Sequence, residues 1–425
     1  MATPMRRGRT RVLFAGVSAV LMLLLATQST LAAVSWTSAV KSSPSYAYTY
    51  GHGLAKTTST VSGTTYLHSQ YTYVNTVNPG VYYRRGSAGA STWGTAKRLN
   101  PSDEFAENGV IAAADKYVYV AYQQVTSWEH YDPGANRPLK LRVNTNHGSS
   151  SSWLSTKTWE VPARVGHPAI AADGTWAYIA YTDALTGDIV VARNLGANSE
   201  DAGWVAGNVG TTTNDAGNPA DGKDGYPVIA ATGGTVLVAW VSGDGSTVSA
   251  KVSTDHGTTW PDAATTITAE QVWDMSAAGS TGRVALAWAQ ESGIKAKLYR
   301  NATWESTKTI ASFSSTATYK TGYGPSITMA GTARVGVAWS SCTRLDCSAG
   351  STKGVNVRWR ESTDNGASWK SPALIASYTA STTRRINDYP TAIISSKPTR
   401  WIMYNVLSAS QSTYSLVVEV GRGTP

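Results

Sequence analysis

Three dipeptides place a side chain that can transfer a proton directly before a proline: His167–Pro168, Tyr226–Pro227 and Tyr389–Pro390. Proline fixes its own φ and biases the preceding residue toward extended geometry, so the three side chains could be aimed alike. An imidazole can remove a proton near neutral pH, and a phenol can return one to a leaving oxygen. The set therefore fits an elimination reaction. The alternative is that these rings only pack between structural units.

Basic residues stand shortly before the same three positions, at Arg164, Lys223 and Arg385. Such side chains can bind the carboxylate or sulfate of an acidic sugar, and arginine does so with two parallel hydrogen bonds. Arg164 or Arg385 could also stabilise the enolate-like anion of an elimination. Acidic residues are interleaved with them, so ordinary solvated turns remain the alternative interpretation.

Hydrolysis would use different residues, because it needs two carboxyl groups roughly 5–10 Å apart. Glu107, Asp274 and Asp388 are the carboxylates at corresponding positions, and Asn108 and Tyr323 are further candidates for substrate contact. The sequence has no metal-ligand cluster, phosphate-binding loop or G-x-S-x-G elbow. We therefore expect neither a metal nor a cofactor.

A unit repeated seven times positions these candidates. Each copy predicts a first strand, a turn, an apolar second strand such as "VLVAW" or "AYIAY", a third strand, a hairpin and a fourth strand. Seven four-stranded sheets around an axis form an all-β, seven-bladed β-propeller. The residues that open the units should form a ring at one end of its channel: His52, Asn108, His167, Tyr226, Asp274, Tyr323 and Tyr389.

The hairpin between the third and fourth strands is spelled "STDHGTTW" at 253–260 and "STDNGASW" at 362–369. Serine and aspartate can bond backbone N–H groups within a turn, glycine accepts a positive φ, and tryptophan offers a ring to bury. These residue types predict a structural rather than a catalytic role for eight positions: Ser253, Asp255, Gly257, Trp260, Ser362, Asp364, Gly366 and Trp369.

The motif S-x-D-x-G-x-x-W resembles the Asp-box, or BNR repeat, of the sialidase-like β-propeller superfamily. The resemblance implies a propeller whose boxes lie away from the active site, with six blades as the alternative count. The chain lacks the Arg-Ile-Pro segment of sialidases, so the resemblance does not extend to sialidase activity. Because the box occurs in glycoside hydrolases and polysaccharide lyases, the resemblance makes an enzyme acting on extracellular carbohydrate one expectation, and the basic residues before the first strands make an acidic polysaccharide its expected substrate. A non-catalytic propeller that binds a glycan or a protein is the alternative.

The first 33 residues combine a basic segment, the apolar run "VLFAGVSAVLMLLLA" and small residues near Ala32, which together predict a secretory signal peptide. Residues 34–425 are then expected to form a single secreted propeller domain, with no membrane span and as a monomer. The segment "VSWTSAVK" resembles a fourth strand and the last unit lacks one, so the N-terminal strand should close the ring.

Cys342 and Cys347 predict one small-loop disulfide, since close pairing in an exported chain favours a bridge. The formal charge of +9 falls to +5 once the four arginines of residues 1–33 are removed. A charge this mild gives no reason to expect a nucleic-acid partner.

Overall fold

The computed structural model describes sixteen segments of the chain. They are residues 35–36, 40–43, 47–73, 80–89, 92–125, 138–154, 157–159, 168–183, 186–194, 204–212, 226–243, 245–314, 321–342, 355–377, 384–408 and 414–422. The described residues form thirty strands and no helix. The described residues include no helix that is long and apolar enough to cross a membrane.

Seven antiparallel sheets, which we number as blades 1 to 7, make up the fold. Their first strands are β3 (Ala47–Thr58), β7 (Phe105–Ala114), β11 (Ala169–Asp173), β15 (Val228–Thr232), β19 (Val272–Ser280), β24 (Thr321–Ala330) and β28 (Arg384–Ile394). Their second strands are β4 (Thr65–Tyr73), β8 (Tyr117–Val125), β12 (Trp176–Asp183), β16 (Thr235–Val241), β20 (Arg283–Gln290), β25 (Arg334–Cys342) and β29 (Thr399–Ser408).

The third and fourth strands form the outer half of each blade. The third strands are β5 (Gly80–Ser87), β9 (Leu139–Asn144), β13 (Asp188–Arg193), β17 (Val248–Ser253), β21 (Gly293–Arg300), β26 (Asn356–Ser362) and β30 (Tyr414–Arg422). The fourth strands are β6 (Lys97–Arg98), β10 (Lys157–Trp159), β14 (Val205–Thr211), β18 (Thr265–Thr268), β22 (Thr303–Trp304) with β23 (Lys308–Ser312), β27 (Ala373–Ala376), and in blade 7 β1 (Ser35–Trp36) with β2 (Val40–Lys41).

The first strands contact one another in order, and β28 contacts β3, so the blades close into a ring. This is the predicted seven-bladed β-propeller, and the six-bladed alternative is wrong. Apolar clusters fill each seam between neighbouring blades, for example the one that joins blades 3 and 4 through Tyr178 and Val238. Both faces of a second strand are covered in this way, which explains why its sequence is continuously apolar rather than alternating.

The Asp-box hairpin of blade 4 is held by its own side chains. The Ser253 hydroxyl donates to Asp255 at 2.7 Å and accepts the N–H of Gly257 at 2.9 Å. Asp255 accepts the N–H of Thr259 at 2.9 Å. This hydrogen bond is the largest of several that hold the pKa of the Asp255 carboxyl well below its usual range. His256 and Gly257 adopt φ of 59° and 72°, the left-handed geometry that the turn requires.

Blade 6 repeats this arrangement, with Ser362 donating to Asp364 at 2.8 Å and accepting the Gly366 N–H at 2.7 Å. Blade 2 forms the same hairpin with an asparagine in place of the serine. There the side-chain oxygen of Asn144 accepts the N–H of Gly148 at 2.8 Å. The hairpin geometry therefore extends to a blade whose sequence no longer matches the motif.

The N-terminal segment completes blade 7, as predicted. Ser35 and Trp36 pair with Arg422 and Gly421, and β2 pairs further along the same strand, β30. The predicted signal peptide lies outside the described residues and stays a prediction. Cys342 is buried at the end of β25, but Cys347 is also outside the described residues, so the disulfide stays a prediction too.

Candidate functional site

The seven first strands begin at one end of the central channel, which we call the mouth. They run in a common direction, because the ends of successive first strands meet: the N–H of Gly234 donates to Asp173 at 2.9 Å, and the Ser280 hydroxyl donates to the Gly331 carbonyl at 3.2 Å. The turns between first and second strands, and the Asp-box hairpins that contact them, lie at the opposite end. For example, the N–H of His256 donates to the carbonyl of Gly234 in the first turn of blade 4. We call this end the box face.

Three first strands are interrupted near the mouth by the same irregularity. The pairing register skips two residues after Glu107 in blade 2, after Tyr323 in blade 6 and after Asp388 in blade 7. The first skipped residues have positive φ: 50° at Asn108, 57° at Gly324 and 45° at Tyr389. In blade 6 the residue with positive φ is Gly324, which directly follows the predicted Tyr323.

Tyr389 holds this conformation despite a large side chain, which is uncommon for a residue with a Cβ. Its N–H donates to the hydroxyl of Ser340 at 3.1 Å, and its carbonyl accepts a hydrogen bond from His52 Nε2 at 2.8 Å. Because a carbonyl can only accept, His52 carries its proton on Nε2. Blades 6, 7 and 1 together fix the backbone of Tyr389.

Asp274 links blade 5 to the same cluster. Its Oδ2 accepts the N–H of Gly324 at 3.0 Å. A Cβ at Gly324 would stand 3.3 Å from Tyr389 Cδ1, so the two bulges are in close contact. The rings of Tyr323 and Tyr389 meet edge to face, with centroids 5.2 Å apart. The structure thus brings together Asp274, Tyr323 and Tyr389, which are distant in the sequence.

Burial raises the pKa of the Asp274 carboxyl to about 6, and the hydrogen bond from the Gly324 N–H opposes this rise only in part. The group therefore exchanges its proton within the range where a general acid is effective. Asp274 is the described residue of the mouth with the clearest capacity for proton transfer.

Two exposed aromatic side chains lie at the mouth. Trp273 and Tyr389 are each 44% exposed, and Trp273 occupies the register break directly before Asp274. Tyr226 and Tyr323, both partly exposed, stand at the corresponding ends of blades 4 and 6. Blades 4 to 7 therefore present an arc of four aromatic residues. Trp273 was not among the sequence candidates, although its place at the start of a first strand was a usable signal.

Five of the sequence candidates lie wholly or partly outside the described residues. His167, Arg164 and Lys223 lie outside the described residues, and only the backbone is described for Arg385 and Asp388. Asn108 is nearly buried, and its side-chain amide donates to Gln123 at 2.6 Å within blade 2. Among the described residues, no group of three His, Cys, Asp or Glu side chains could hold a metal ion.

No family model matches the sequence, and no curated protein is significantly similar to it. Several solved structures resemble the fold. The Hadza microbial sialidase Hz136 is 12% identical with a TM-score of 0.43, and the alignment covers 86% of this chain and 65% of that one. The sialidase of Trypanosoma rangeli is 12% identical with a TM-score of 0.47, covering 92% and 59%.

The fucose-binding lectin of Aleuria aurantia, a six-bladed propeller, is 14% identical with a TM-score of 0.44 over 79% of this chain and 99% of the lectin. This chain thus spans less than two thirds of the length of either sialidase. At such identities and TM-scores, the neighbours say nothing about the activity of this protein.

Proposed function

We propose that this protein is a secreted propeller that binds an extracellular glycan across its mouth. The observation that supports this most directly is the pair of exposed rings, Trp273 and Tyr389, at one end of the channel. An aromatic face packs well against the apolar face of a sugar ring, and a few polar groups beside it orient the hydroxyls. Asp274 lies next to Trp273 in the chain and bonds the bulge that Tyr389 contacts.

The mouth is built to hold these rings in place. The positive φ of Tyr389 is fixed from three blades, and Tyr323 packs against its ring edge. A side chain positioned before binding loses less conformational entropy on binding, which favours affinity. Because Tyr389 keeps a strained backbone while its ring stays exposed, the arrangement favours ligand contact over packing alone.

A second candidate function is cleavage of the bound glycan. The raised pKa of Asp274 favours it, since a carboxyl that holds its proton near pH 6 can protonate a leaving oxygen. Asp274 would act as the acid of a hydrolase, with Glu107 or Asp388 as the second carboxylate. The elimination chemistry inferred from His167, Tyr226 and Tyr389 is the other route, with an acidic polysaccharide as its substrate.

The test is a panel of neutral and acidic polysaccharides, measured for binding by calorimetry and for products as reducing ends and as unsaturated uronate. W273A and Y389A should each weaken binding of the best ligand by about tenfold or more, the usual effect of removing a central aromatic contact. L374A is the matched control, because Leu374 is 48% exposed on an outer strand away from the mouth. Its affinity should stay the same.

Unchanged affinity in both W273A and Y389A would contradict the proposed binding site. If products form, D274N and H167A separate the two reactions. Loss of activity in D274N alone supports hydrolysis, and loss in H167A alone supports elimination.

A further inference from the structure

Four basic side chains converge on the box face where blade 1 meets blade 2. Arg85 lies near the end of β5, Lys97 in β6, Lys116 in the turn between β7 and β8, and His147 at the tip of the blade 2 hairpin. We call these four residues the basic seam. They belong to a different end of the molecule from the mouth.

The blade 2 hairpin gathers the seam around its backbone. Arg85 Nη1 donates to the carbonyl of His147 at 3.3 Å, and Lys97 Nζ donates to the carbonyl of Ser150 at 3.1 Å. The N–H of His147 donates to the carbonyl of Lys116 at 2.7 Å. The side chains of Arg85 and Lys97 are therefore oriented by neutral carbonyl oxygens, which leave their charges uncompensated.

No carboxylate among the described residues forms an ion pair with any member of the basic seam. Asp115 is adjacent in sequence, but its Oδ2 lies toward Gly174 in blade 3, on the other side of blade 2. Burial and the charges of Arg85 and Lys116 lower the pKa of His147, as expected where the local potential is positive. The basic seam is therefore a cluster of positive charge that no carboxylate among the described residues neutralises.

The cations are held in place and keep unused donors. Arg85 lies 4.9 Å from the ring centre of Tyr66, and the Lys116 ammonium lies 5.3 Å from that of Tyr117. Such cation–π contacts restrain a long side chain without neutralising it. Arginine has five N–H donors and lysine three, so most remain available to an anion.

We propose that the basic seam binds an anionic polysaccharide through its sulfate or carboxylate groups, at a site separate from the mouth. Nucleic acid fits less well, because single strands bind largely by stacking on aromatic faces and the cations occupy the rings of Tyr66 and Tyr117. A membrane also fits less well. The exposed apolar residue closest in sequence is Val61, at 98% exposure, and surface anchoring needs a larger apolar face.

The experiment measures the affinity of the mature protein for dextran sulfate across a series of NaCl concentrations. The variant K97Q/K116Q should bind about tenfold more weakly at low salt, and its affinity should depend less on salt. K295Q/K297Q is the control with the same net charge. Its two lysines make the same kinds of contact as Lys97 and Lys116: Lys295 donates to a neutral oxygen, Thr309 Oγ1, and Lys297 lies over the ring of Trp304. This control should bind within about twofold of the wild type.

An equal loss of dextran sulfate affinity in the two double variants would overturn the proposal, because the net charge of the protein would then explain the binding. It would also be overturned if inorganic sulfate competed as well as the polymer at equal anion concentration. Tighter binding of single-stranded DNA or of phosphatidylserine vesicles, lost in K97Q/K116Q, would assign the seam to another class of partner. Loss of dextran sulfate binding in W273A or Y389A, with K97Q/K116Q unaffected, would place the anion site at the mouth and overturn the proposal.

Discussion

At the residue scale, Asp274 holds its proton to a higher pH than an exposed carboxyl does, because burial raises its pKa to about 6. A buried carboxyl pays a desolvation penalty when it ionises, and the single N–H of Gly324 does not remove that penalty. The folded protein therefore keeps a proton that the unfolded chain has already released. This coupling makes the stability of the protein depend on pH in that window.

Replacing Asp274 with asparagine should therefore stabilise the protein in a pH-dependent way. Because the folded-state pKa is raised, the wild type loses stability as the pH rises from about 4 to about 6 and then stays level. The gain of D274N over the wild type should be small at pH 4 and grow to at most roughly 3 kcal/mol by pH 7. Urea denaturation at a series of pH values measures this difference.

D262N is the control for this series, because Asp262 lies exposed in a turn of blade 4. Its free energy of unfolding at pH 7 should differ from that of the wild type by no more than about 0.5 kcal/mol, the usual limit for an exposed substitution. A difference between D274N and the wild type that does not grow with pH would contradict the prediction.

At the scale of elements, a buried ion triad joins blades 6 and 7. Glu361, at the end of β26, receives hydrogen bonds from Arg334 at 2.7 Å and from Arg400, which is fully buried in β29. Burial by itself would raise the pKa of Glu361, but the two arginines outweigh it and hold the pKa below its usual value. Removing one partner of such a set leaves buried charge without compensation.

E361Q should thus lower the free energy of unfolding by about 3–5 kcal/mol, which is the usual cost of breaking a buried pair from one side. E305Q is the matched control. Glu305 pairs with Arg300, whose side chain is 41% exposed, so the control should lose less than about 1 kcal/mol. Similar losses in the two variants, measured by chemical denaturation, would mean that the triad is no more important than a surface pair.

At the scale of the whole molecule, blade 7 is completed by chain segments that are almost 400 residues apart. Trp36 pairs with Gly421, and its ring lies so close that a Cβ at Gly421 would stand 2.9 Å from it. The same ring packs against the apolar cluster of blades 6 and 7. Without this segment, β30 would present an unpaired edge.

Deleting residues 34–42 should sharply lower the melting temperature, and W36A should cost on the order of 2–3 kcal/mol, since Trp36 is only half-buried. S35A is the mild control, because it removes a single exposed hydrogen bond from Ser35 to the Arg422 carbonyl. Thermal unfolding of the three variants is the measurement. Unchanged melting after the deletion would refute closure by this segment.

The sequence by itself determined the blade count, the order of strands and the Asp-box turns. These features are local, since the bonds that form a box hairpin run between residues two to four positions apart, such as Ser253 and Gly257. The apolar second strands were equally readable, because burial on both faces leaves a continuous apolar run. Ring closure could be inferred because the last unit lacks a fourth strand and the N-terminal segment "VSWTSAVK" resembles one.

Only the tertiary structure decided how the mouth is built. The bulges of blades 6 and 7 are defined by strand pairing, so the sequence did not show that Gly324, beside the predicted Tyr323, takes a positive φ. The hydrogen bond between His52 and Tyr389 joins residues 337 positions apart in the sequence. The pKa of Asp274 is raised because the folded chain buries its carboxyl group. The basic seam likewise joins four segments whose proximity no local pattern encodes. Local hydrogen bonding fixed the turns, whereas burial and charge at both ends of the channel arise from contacts between blades.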